Sequence, residues 1–157
     1  MITVRLAGRD DSETVGRLLH AVDVHYWSVA APLADFVRHV RERVLPSGCE
    51  IALAEAEGVP LGLATFAVLY PAPELGGVLF LKDLFTVAEA RGRGVGHALM
   101  ESLAELARAR GCVRFDWTAE TDNPDALAFY DRLGAKRVPE KVYFRFDLRR
   151  GEGPLPR

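Results

Sequence analysis

Arg91-Gly92-Arg93-Gly94-Val95-Gly96 is the stretch on which the reading of this chain turns. It follows the apolar run from Val78 to Phe85 and opens a helical pattern from Val95 to Arg110. A glycine-rich turn between a strand and a helix presents backbone N–H groups at the positive end of a helix dipole, an arrangement suited to phosphate. Glycine lets the main chain approach a ligand closely and adopt positive φ. Arg91 and Arg93 add charge-assisted donors. The expectation is therefore a phosphorylated ligand. The turn lacks the Lys-Ser/Thr of a P-loop, which weighs against a nucleoside triphosphatase. Hairpins precede it rather than repeated parallel βαβ units, which weighs against a dinucleotide fold.

Working outward, Val78–Thr86 reads as a strand buried on both faces, interrupted only by Lys82 and Asp83. Glu50–Ala56 and Leu61–Leu69 form a hairpin around Glu57-Gly58-Val59-Pro60. Before them come a short strand, Ile2–Leu6, and a helix that Asp10 can cap, with Glu13 completing a capping box. The segment His25-Tyr26-Trp27 follows, and then a second helix over about residues 33–44. After the glycine turn, Val113–Thr118 reads as a strand. Asn123-Pro124 starts a helix, with Asn as N-cap and Pro at the first helical position, and Gly134 ends it. Lys141–Leu148 alternates apolar and polar and predicts a last strand. The order is β-α-α-β-β-β-α-β-α-β. The fold class is α/β (α+β), with a mixed, mostly antiparallel sheet, flanking helices and one βαβ unit around the glycine turn. Residues 1–150 are expected to form a single domain, followed by a loose tail over 151–157.

With 20 Lys and Arg against 22 Asp and Glu, the net charge is −2, which weighs against nucleic-acid binding. No apolar run approaches the ~20 residues of a membrane span, and the first residues lack the pattern of a signal peptide. The two cysteines, Cys49 and Cys112, do not form a disulfide framework and fit a reducing cytoplasm. Cys112 reads as core. No Cys/His spacing offers a metal site.

Arg91-x-x-Gly94-x-Gly96 and Asn123-x-x-Ala126-x-x-Phe129-Tyr130-x-x-Leu133-Gly134-Ala135 resemble the pyrophosphate loop and the second signature of the GNAT family of acetyl-CoA-dependent N-acetyltransferases. The strand Phe80–Thr86 ends five residues before Arg91, as in that family. Over this stretch the chain looks most like the diamine- and polyamine-acetylating branch. It departs from the family pattern at Thr86, where valine is usual, and from the branch at Lys82, where a glutamate is usual. The resemblance therefore carries neither a polyamine substrate nor a base at position 82.

The resemblance implies direct attack of an amine on the thioester of acetyl-CoA, with no metal. It implies cofactor contacts from Leu84, Phe85, Thr86, Arg91, Gly92, Arg93, Gly94, Val95, Gly96, His97, Asn123, Phe129 and Tyr130. The oxyanion needs a fixed donor, expected from a main-chain N–H on the Leu84–Thr86 edge. Tyr130 is the candidate acid for the departing thiolate, its alternative being a core position beside Ala126 and Leu133. An alkylammonium with a pKa near ~10.4 costs on the order of 4 kcal/mol to deprotonate at pH 7. A carboxylate eases this and attracts the cation. Asp83, Asp116 and Glu120 are the candidates, and Asp83 is the sharpest because a charge inside an apolar strand needs a reason. Its alternative is an ion pair with Lys82 or with a neighbouring strand. His25, Tyr26 and Trp27 either line the acceptor pocket or simply pack. The expected acceptor is a small-molecule or peptide amine, and the last strand could pair across a homodimer. Two other readings compete: a CoA-binding domain of regulatory or weak catalytic role, and a phosphopeptide- or nucleotide-binding module.

Overall fold

A computed structural model describes residues 1–28 and 30–148. The chain divides into two compact units, Met1–Thr118 and Ala119–Arg157. In the first, β1 (Thr3–Leu6), β2 (Glu50–Ala56), β3 (Val59–Leu69), β4 (Gly77–Thr86) and β5 (Cys112–Asp116) form one sheet in that spatial order. β1 to β4 pair antiparallel, and β5 lies parallel to β4. The crossover between these last two is α3 (Val95–Ala109), so the glycine turn sits inside the one βαβ unit.

Alternation along the strands divides the core between the two faces of the sheet. On one face, Ile51, Leu53 and Leu63 pack with Val15 and Leu18 of α1 (Ser12–Trp27) and with Val40. On the other, α3 buries Val95, Leu99, Met100 and Leu103. Each such side chain contributes roughly 1.5–3 kcal/mol when fully buried. Two glycines allow close approaches. A Cβ at Gly62 on β3 would lie 2.4 Å from the Phe85 carbonyl oxygen and 3.1 Å from Val95 Cγ1. One at Gly16 would lie 2.9 Å from the Cα of Val37 in α2 (Leu33–His39). Gly62 thus lets β4 and α3 close on β3, and Gly16 sets the spacing of α1 and α2.

Several local features differ from the sequence reading. Asp10 does not cap α1. The N-cap is Asp11, whose carboxylate accepts the Gly8 N–H (2.7 Å) and pairs with Arg5, while Glu13 pairs with Arg17. A carboxylate beside a guanidinium on β1 gains more there than at its own helix start. Helix α1 runs on through His25, Tyr26 and Trp27 and ends in a left-handed Ser28. The second helix loosens into a π turn over Val40–Val44. The β2–β3 turn is tighter than expected: Glu57 and Gly58 both have positive φ, as a two-residue hairpin loop requires.

The second unit carries α4 (Pro124–Arg132). Asn123 caps it by accepting the Ala126 N–H at 3.1 Å, and Gly134 follows with a φ of +79°. The expected strand over 141–148 is not formed. Residues 141–147 have no regular structure, and Val142, Tyr143, Phe144, Phe146 and Leu148 are exposed. Alternation prepares a segment for a sheet, but a strand exists only when a ladder partner supplies its hydrogen bonds. The expected loose tail, 151–157, lies outside the described residues.

Candidate active site

The site in the first unit begins where β4 loses a neighbour. β5 pairs with β4 only as far as Phe80 opposite Asp116, whereas β3 follows β4 to Thr86. From Leu81 onward, no strand among the described residues lies beside one edge of β4. Val87 donates its N–H to the Leu61 carbonyl on β3 (3.0 Å). Alternation then points the peptide groups of Leu84 and Thr86 the other way, into the open edge. The Thr86 carbonyl on that side accepts Arg91 Nε at 3.4 Å. Main-chain N–H groups fixed in a strand and directed into an open edge can stabilise a developing oxyanion.

The chain then turns through Ala88–Ala90, with Ala90 buried, into the glycine loop. Gly92 and Gly94 have φ values of +74° and +85°, and a Cβ on either would meet nothing within 4 Å. Gly94 is the N-cap of α3 and supplies no side-chain cap. The first intrahelical bond there runs from the Ala98 N–H to the Gly94 carbonyl (3.0 Å). Helix geometry therefore leaves the N–H groups of Val95, Gly96 and His97 without intrahelical acceptors. Bare donors, open space and two exposed arginines make a cradle suited to a pyrophosphate.

Asp83 and His25 lie on the α1 side of the same strand. The rings of His25 and Phe85 are 6.1 Å apart, which brings the end of α1 over β4, while Tyr26 and Trp27 are largely exposed. Asp83 faces Thr65 across the β3–β4 ladder, and the buried Thr65 hydroxyl donates to Asp83 Oδ2 at 2.5 Å. Lys82 Nζ lies 3.2 Å from both carboxylate oxygens. The Cys49 thiol is pushed above its ordinary pKa, first by burial and then by the negative charge of Asp83. Thr65 does not emerge from sequence reasoning, because its place opposite Asp83 comes from strand register. Asp116, at the end of β5, pairs with Arg114 at 3.3 Å rather than standing alone. Cys112 is only partly buried, and both cysteines are free thiols.

In the second unit, Phe129 and Tyr130 are neighbours on α4, their ring centroids 5.2 Å apart, and both are partly buried. Glu120 is exposed, and its carbonyl accepts the Asn123 N–H at 3.2 Å. Among the described residues, no three His, Cys, Asp or Glu side chains converge as metal ligands, and no helix is long and apolar enough to cross a membrane.

The sequence model of the GNAT acetyltransferase family matches residues 18–135. The chain belongs to the GNAT acetyltransferase family. The match takes in both the glycine loop and the Asn123 helix. Among relatives in this family, the chain is similar to a thialysine N-epsilon-acetyltransferase of Caenorhabditis elegans, at 36% identity over 74 residues. That match covers 47% of this chain and 46% of the relative, so the chain spans about half the length of that curated enzyme. It is also similar to an aminoglycoside N(6')-acetyltransferase type 1 of Klebsiella aerogenes, 32% identical over 105 residues, with 66% of this chain and 68% of the relative covered. Among solved structures, an integron cassette protein from the mobile metagenome of V. cholerae shares the fold with a TM-score of 0.88. It is 34% identical, with 93% and 92% of the two chains covered.

Proposed function

We propose that this GNAT-family chain is an N-acetyltransferase that moves the acetyl group of acetyl-CoA to a primary amine of a small molecule or peptide. The observation that carries the reading is the sequence of features along one strand and its exit. An open β4 edge presents the Leu84 and Thr86 peptide groups, and a glycine loop with bare N–H groups opens α3 directly afterwards. Arg91 to His97 would hold the pyrophosphate, and acetyl-CoA supplies an activated thioester as acyl donor. The N–H groups of the Leu84–Thr86 edge stabilise the oxygen that gains charge as the amine attacks. From the family resemblance, Asn123 and Phe129 contact the donor, and Tyr130 hands a proton to the departing sulfur. Asp83, with Asp116 and Glu120 as further carboxylates, draws in the amine and eases its deprotonation. His25, Tyr26 and Trp27 form the acceptor side. Relatives named for thialysine and aminoglycosides, both amines, support the acceptor class.

The reading extends to one domain over residues 1–150, a cytoplasmic location that suits two free thiols, and a homodimer. No metal, nucleic-acid or membrane partner is part of it. The test is acetyl transfer from acetyl-CoA across a panel of alkyl and aromatic amines, with CoA affinity measured in parallel. Turnover of at least one amine is expected. CoA binding without turnover of any amine would instead favour a regulatory CoA-binding domain. ATP or a phosphopeptide displacing CoA would favour the binding-module reading.

A further inference from the structure

Neighbouring residues on a strand point to opposite faces, yet Lys82 and Asp83 touch. The β3–β4 register explains this. Thr65 opposes Asp83 and Phe66 opposes Leu81, which leaves Lys82 as the extra residue of a bulge. The bulge turns Lys82 to the Asp83 side. There its ammonium straddles both carboxylate oxygens at 3.2 Å, although its side chain remains 74% exposed and that of Asp83 only 27%. The Thr65 hydroxyl holds the carboxylate from behind. Among the described residues, no other carboxylate forms an ion pair with Lys82. The face therefore offers a solvent-exposed cation set against a hydrogen-bonded, partly buried anion. It stands beside the open β4 edge and the His25 end of α1.

We propose that Lys82 is a specificity-determining residue: with Asp83 it forms a cation–anion pair that selects an acceptor whose amine lies near an anionic group, such as a carboxylate, over a bare alkylamine. The inference rests on the acetyl-transfer reading above. A bare alkylammonium approaching Asp83 meets a like charge in Lys82 and must displace it from the carboxylate. An acceptor carrying its own carboxylate exchanges partners instead: its anion takes Lys82 and its ammonium takes Asp83. Each charge then stays paired while water is excluded, which a single cation cannot achieve. Because Lys82 is solvent-exposed at rest, it can swing to the acceptor without leaving a buried charge behind.

The test compares acceptors that differ only by a carboxylate: lysine against 1,5-diaminopentane, and 2,4-diaminobutyrate against 1,3-diaminopropane. kcat/KM is measured on the wild-type chain, Lys82→Met and Lys82→Glu. The wild type is expected to favour the carboxylated member of each pair by roughly three- to tenfold. Lys82→Met should lose that preference, and Lys82→Glu should invert it by raising kcat/KM for the bare diamine. A wild type that prefers the bare diamines, or a Lys82→Glu variant that shifts both members alike, overturns the proposal while leaving acetyl transfer intact. Should no amine turn over at all, the acetyl-transfer reading is what fails. Calorimetric affinities of the same acceptor pairs for the same variants then still read Lys82, and equal affinities within each pair would overturn the selection as well.

Discussion

Gly94 caps α3 at a φ of +85°, and a Cβ there would project into open space, so strain and intrusion both bear on any replacement. A side chain would adopt the left-handed region at a cost and would enter the volume in front of the bare N–H groups. Aspartate adds a negative charge where a pyrophosphate is proposed to sit. Gly94→Asp is therefore expected to abolish CoA binding in calorimetry, and an affinity within about threefold of wild type, under ~1 kcal/mol, would remove the loop from the site. Tyr130→Phe asks a different question, because it keeps the ring and removes only the hydroxyl. Turnover is expected to fall by roughly 10- to 10³-fold with the KM for acetyl-CoA little changed. Full activity would leave Tyr130 as a packing residue of α4.

At the scale of elements, the entry to α1 is held by a contact between distant parts of the chain. Arg5 on β1 bridges Asp11 (2.7 Å) before α1 and Glu55 (2.8 Å) on β2, tying two strands to a helix start. The Arg5 hydrogen bond is the main cause that holds the Asp11 carboxyl below its ordinary value, opposed by burial and aided by the Gly8 N–H. A carboxyl with a depressed pKa stabilises the fold above its unfolded value near 3.8, and that contribution disappears as pH falls through the folded value. Asp11→Asn is expected to cost about 1 kcal/mol at pH 7, because Arg5 is nearly half exposed and water screens the pair. The Tm gap from wild type should close below pH 3.8. A gap that stays constant from pH 7 to pH 3 would show that the charge on Asp11 contributes nothing. The glycine loop and the Asn123 cap can be read from a few adjacent residues, but this tie cannot. Asp10, Asp11 and Glu13 are all plausible caps in sequence, and the arginine that claims Asp11 sits on another strand.

At the scale of the whole molecule, Val142, Phe144, Phe146 and Leu148 are 72%, 87%, 65% and 85% exposed. Large apolar side chains exposed to water favour association, and the proposed assembly is a homodimer. Sedimentation velocity is expected to show a dimer at micromolar concentration, and Phe144→Ser combined with Phe146→Ser should shift it to monomer. A wild-type chain that is monomeric throughout the accessible range would set the homodimer aside.

By itself the sequence determined what short-range sterics and capping chemistry control. The glycine turn that opens α3, the Asn123-Pro124 start and the Gly134 stop of α4, and the order of the first nine elements all follow from neighbouring residues or from hydrophobic periodicity. Only the tertiary structure decided where β5 leaves β4, that Lys82 becomes the extra residue of a bulge, that Thr65 stands behind Asp83, and that Gly16 admits α2. Each of these is a matter of register or close approach between segments far apart in the chain, where energies depend on the partner. The same reason explains the stretch over 141–148: its alternation is a property of the segment, whereas a strand is a property of a pair.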